Sequence, residues 1–143
     1  MDTQIHLLSD SGSWNVAAEF VDSQGRIRKS NGRVVISPDP ESGDMLSEIW
    51  VASRVIDRHS TYRISHSGPS TMMCDSVAPA SKRLSGAFNV DRNMLFLKFS
   101  MGEIGVNGYQ IAHRNGQVCY VHGAIYRGDD FFQNWTATLT KTD

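Results

Sequence analysis

Apolar and polar residues alternate with a period of two through almost the whole chain. That pattern restricts the fold to extended segments with one buried face. Trp14, Val16, Ala18 and Phe20 alternate with Ser13, Asn15, Ala17 and Glu19. Near the other end Phe131, Gln133, Trp135, Ala137 and Leu139 alternate with Phe132, Asn134, Thr136, Thr138 and Thr140, and the threonines mark the solvent side. Between them, turn residues recur at intervals of roughly 8 to 12 positions, the spacing of short strands in an all-β domain. These are Asp22-Ser-Gln-Gly25, a loop over 38–44, Ser67-Gly-Pro-Ser70, Asp91-Arg-Asn93, Asn115-Gly116 and Gly128-Asp129-Asp130. Asn-Gly is the strongest short hairpin signal among them, because both residues tolerate positive φ.

Further strands are predicted over 26–37, 45–55, 60–66, 71–77, 84–90, 94–99, 106–114 and 117–127. The total is about eight to ten. The 94–99 strand has Leu95, Leu97 and Phe99 on one side and Met94 and Phe96 on the other, so it is expected to be buried on both faces or near a barrel end. Only 2–9 and 78–83 remain as short helical candidates. Sequential strands joined by tight turns favour an up-and-down antiparallel meander. Such a meander removes its exposed edges by closing into a barrel. A sandwich, which needs longer crossovers, is the alternative. At 143 residues the chain suits a single domain, 1–143, with one core.

Lys+Arg is 14 and Asp+Glu is 15. A balance so near zero argues against a dedicated nucleic-acid or anionic-membrane surface. No stretch approaches the roughly 20 apolar residues of a membrane span. The start, MDTQIHLLSDSG, lacks a basic segment followed by an apolar one, so a cytoplasmic protein is expected. Cys74 and Cys119 have no CxxC spacing and are read as reduced thiols.

The chemistry-bearing positions lie on strands. In 117–127, Tyr120, His122, Ala124 and Tyr126 share one face, and Cys119, Val121, Gly123 and Ile125 share the other. With the Tyr120 face inward, the barrel would be lined by hydroxyls and an imidazole, suiting an apolar ligand with a few polar groups. The alternative places that face outward or in a homodimer interface. Gln133 is a polar group in an apolar row, and a buried amide needs a partner, from the protein or from a ligand. The histidines form no pair with metal-ligand spacing, and no metal or cofactor is indicated. Asp129 and Asp130 fall in a turn, and no nucleophile motif is present.

Gly12-Ser13-Trp14, opening the first strand after a short N-terminal segment, resembles the Gly-x-Trp signature of the calycins, the superfamily of lipocalins and fatty-acid-binding proteins. The resemblance implies a barrel whose Trp14 sits at the closed end near a basic side chain, with Lys141 or Arg127 in that part. The chain departs from the lipocalins in lacking a Thr-Asp-Tyr motif and their disulfides. The expected function is binding of a small hydrophobic molecule inside the barrel by Tyr120, His122, Gln133, Trp135, Tyr62, Arg54 and His66. The alternative is a small barrel enzyme, an isomerase, cyclase or lyase, with His122 as general base.

Overall fold

The structure, a computed structural model, describes residues 5–50, 59–78 and 83–142. Ten strands follow one another: β1 (Gly12–Asp22), β2 (Ile27–Pro38), β3 (Met45–Trp50), β4 (Ser60–Gly68), β5 (Thr71–Ala78), β6 (Ser85–Asp91), β7 (Met94–Met101), β8 (Val106–Asn115), β9 (Val118–Arg127) and β10 (Asp130–Lys141). Each pairs antiparallel with its neighbours in sequence, and β1 also pairs with β10, so the up-and-down sheet closes on itself. Closure satisfies both edge strands through the Trp14–Lys141 to Asp22–Gln133 register.

The alternation dictates what faces inward. On β1, Trp14, Val16, Ala18 and Phe20 are buried while Asn15 and Ala17 are exposed. On β7, Leu95, Leu97, Phe99 and Met101 are buried, and Phe96 and Lys98 are exposed. Of the two alternatives expected for this strand, burial on both faces or a place near a barrel end, the first is corrected: it alternates like the rest, with Phe96 on the outer wall. Two glycines let the wall close around these side chains. A Cβ at Gly86 would meet the Lys98 carbonyl and Phe99, and one at Gly108 would meet Phe99 and Ile125.

Two further expectations change. The described part of the 2–9 segment is a turn, in which the Ser9 amide donates to the His6 carbonyl at 3.1 Å, and no helix forms there. The 78–83 candidate falls mostly on 79–82, outside the described residues; Ala78 ends β5 and Arg83 is not helical. The C-terminal part of the strand expected over 45–55 also lies outside the described residues beyond Trp50.

The barrel has two ends. One carries the N-terminal turn, the start of β1 and the end of β10. The other carries the β1–β2, β7–β8 and β9–β10 turns. A 3-10 turn, Gly102–Ile104, joins β7 to β8 and ends on Gly105, whose φ of 67° is the left-handed conformation that glycine adopts without strain.

Candidate functional site

At the first end, the chain before β1 folds back over the barrel. Leu7 and Leu8 reach the interior wall, and the Leu8 amide donates to His6 Nδ1 at 3.1 Å. Trp14, fully buried, packs beneath two cations. The Arg114 guanidinium lies 5.0 Å from its ring centroid and the Lys141 ammonium 6.0 Å. Both cations donate to Asp10, at 2.7 and 3.0 Å. Arg114 also donates to the Gly116 and His6 carbonyls, and its own carbonyl accepts from the Asn93 side chain at 2.7 Å. The hydrogen bonds from Arg114 and Lys141 hold the Asp10 carboxyl below its ordinary range. Burial, with help from Arg114 and His66, lowers the proton affinity of His6. Of the two cations expected beside Trp14, Lys141 is there, whereas Arg127 sits at the far end over Phe132. Arg114 was not anticipated. Its signal was a cation on the apolar side of a strand, in step with Val106 and Ala112.

Between the ends runs an apolar lumen with a cavity of about 160 Å³. Its wall includes Val16, Phe20, Val34, Ile64, Leu97, Val121, Trp135 and Leu139. Trp135 is held on three sides. Its ring lies 6.4 Å from that of Phe20 on β1. It also lies against Gly123 on β9, where an added Cβ would collide with the indole. Finally, its Nε1–H donates to Gln110 Oε1 on β8 at 3.0 Å. Gly123 thus lets an indole from β10 lie across β9 and reach β8.

The polar side chains on the lumen wall are few: Ser47, Tyr62, Gln110 and Gln133. Ser47 and Tyr62 face each other across β3 and β4. Gln133 is only 3% exposed and lies opposite Asp22 and Ile125, toward the far end. Its side-chain amide hydrogen-bonds to no described residue. The nearby Asp22 carboxylate is committed to the β1–β2 turn, accepting from Arg26 Nε at 2.8 Å and from the Gln24 and Arg26 amides. Among the described lining residues none is an acid, an amine or an imidazole. Cys74 lines the lumen too, but burial pushes its thiol up to about 12, so it is not a nucleophile at neutral pH.

Of the seven expected ligand-binding residues, Gln133, Trp135 and Tyr62 line the lumen. Tyr120 and His122 do not: they point outward, Tyr120 with 54% of its surface exposed, and Val121 and Ile125 take the inward face. The reason is packing. Gly123 is the position over which Trp135 must lie, so its side of β9 faces in. His122 instead stands outside, its Nε2 3.5 Å from Tyr109 Oη, and so cannot serve as a base within the barrel. His66 is exposed on the β4 rim at the Trp14 end, near enough to His6 to act on its charge. Arg54 lies outside the described residues.

The Phe131 expectation also changes. The β9–β10 register shifts between Phe131 and Gln133, and this bulge turns Phe132 against the core while Phe131 packs edge-on to Tyr126. Gln110 and Ser47 were missed, although each shows the signal that marked Gln133, a polar residue in step with apolar neighbours. Among the described residues no group of three His, Cys, Asp or Glu side chains is placed to hold a metal. None of their helices is long and apolar enough to cross a membrane. No known family model, curated protein or solved structure matches this chain.

Proposed function

We propose that the protein is a calycin-like binding protein that holds a small, mostly apolar molecule in the lumen of the barrel. The observation that carries this reading is Gln133. Its amide borders the lumen, where it can both donate to and accept from a group that enters. A ligand that bonds to it is oriented as well as held. The apolar wall supplies the driving force for binding, and the fixed Trp135 ring supplies a preformed surface. An acid–base enzyme is less well supported. It would need two converging groups that titrate near neutral pH, and the described lumen wall offers none.

Native mass spectrometry of the purified protein tests the proposal. A small molecule retained under gentle ionisation and lost on unfolding is expected. A barrel that arrives empty and that no apolar probe enters, as judged by the Trp135 indole N–H resonance, would sink it.

A further inference from the structure

The chemistry of the lumen narrows its ligand, given the reading of the barrel as a binding site. The cavity, about 160 Å³, is close to the roughly 150 Å³ of an apolar cavity that takes benzene. Its polar groups are hydroxyls and carboxamides, and no charged side chain lines it among the described residues. The described charges at this end of the two strands flanking Gln133 are engaged elsewhere. Asp22 accepts from Arg26 and from backbone amides of its own turn, and Arg127 lies 5.0 Å over the Phe132 ring. An anion placed at Gln133 would meet the Asp22 carboxylate nearby and no counter-ion among the described lining residues. Burying an unpaired charge is far more costly than burying a neutral polar group. A carboxamide both donates and accepts, so it matches a neutral alcohol, carbonyl or amide.

From this we infer that the lumen selects a neutral ligand about the size of one substituted ring, whose single hydrogen-bonding group is received by the Gln133 amide, and that it rejects carboxylates. The amide is then a specificity-determining group, and the apolar wall is indifferent to everything but size. Trp135, braced by Gly123 and Gln110, sets the flat side of the space beside it.

Three probes of one shape separate these roles: benzamide, toluene and benzoate, titrated at pH 7 against the full chain. Binding is followed by the Trp135 indole N–H resonance and by calorimetry. Benzamide should bind at least tenfold more tightly than toluene, about 1.4 kcal/mol, and benzoate should bind more weakly than either. In Gln133→Leu, benzamide should lose that advantage while toluene binds as before. Gln133→Met, closer in shape, serves the same purpose if the leucine variant does not fold. Benzoate binding as tightly as benzamide, or a benzamide preference that survives both substitutions, overturns the inference while leaving the lumen a ligand site. If no probe moves the Trp135 resonance, the binding reading itself fails.

Discussion

The two ends of the barrel treat buried polarity in opposite ways. At the Trp14 end the described charges are cross-linked: Asp10 takes both Arg114 and Lys141, and Arg114 reaches three backbone or side-chain acceptors, two of them more than 100 positions away in sequence. One group is left over there, the Trp14 Nε1–H, which is buried with no acceptor. It is sealed within packed side chains beneath two cations, which have no lone pair to offer it. Its cost is one of packing. At the other end the unpartnered group is the Gln133 amide, and it borders a cavity. The two groups therefore mean different things. A sealed orphan is tolerated for the area buried around it, of order 200 Å² for an indole. An orphan beside empty space can be satisfied by what enters.

Breaking the sealed end should have the largest effect. Trp14→Ala removes the largest fully buried side chain and should cost about 3–5 kcal/mol in chemical unfolding. A variant that stays fully stable would show that this end is not the structural one. Arg114→Met, which keeps the stem and removes the charge, strands the His6 and Gly116 carbonyls. A loss of about 1–3 kcal/mol is expected, measured as a shift in denaturant midpoint at unchanged slope. Because Asp10 is 43% exposed, its pairing with Arg114 contributes little of this, and high salt should leave most of the loss in place.

The opposite sign is expected at the Gln133 end. Gln133→Leu should raise the stability of the ligand-free protein by about 1 kcal/mol, since it replaces a lumen-facing amide with an apolar side chain of similar volume. Destabilisation in the ligand-free state would mean that the amide has a structural partner, and the contrast between the ends would vanish.

Acid should weaken the sealed end in two smaller steps. The folded state lowers the proton affinity of His6, so the unfolded chain takes up that proton first as pH falls. The stability due to neutral His6 is complete above its ordinary value of 6.5 and declines below it. The Asp10 carboxyl is likewise held below 3.8, so its contribution is kept above that value and lost as pH falls through the lower folded one. Thermal melts from pH 8 to 3 should show both declines, and His6→Gln should abolish the upper one. The smallest effect is expected outside the barrel. His122→Ala should leave lumen binding unchanged, whereas a loss of bound ligand would bring the outer Tyr109–His122 face into the site.

Much of this was legible in the residue pattern. Alternation and turn chemistry are local properties, so the all-β meander follows from the pattern along the chain, and the inward row of Gln133, Trp135 and Leu139 follows from β10 alone. Trp14 as a buried end residue follows from β1 in the same way. The faces of β9 were ambiguous because both rows carry residues that tolerate burial. Only the indole of β10 lying over Gly123 decides between them. Phe131 and Phe132 exchange roles because a bulge has no period. Likewise, Arg114 and Asp10 are 104 positions apart, and no local signal pairs them.

The sequence by itself determined that this chain is a run of short strands with one apolar face, because a strand's period and a turn's conformation depend only on near neighbours; closure of β1 on β10 is a long-range pairing. The tertiary structure alone decided which polar groups are spent and which are left facing the cavity. Hydrogen-bond satisfaction depends on partners brought together across the barrel, and that is why Arg114 is committed and Gln133 is not.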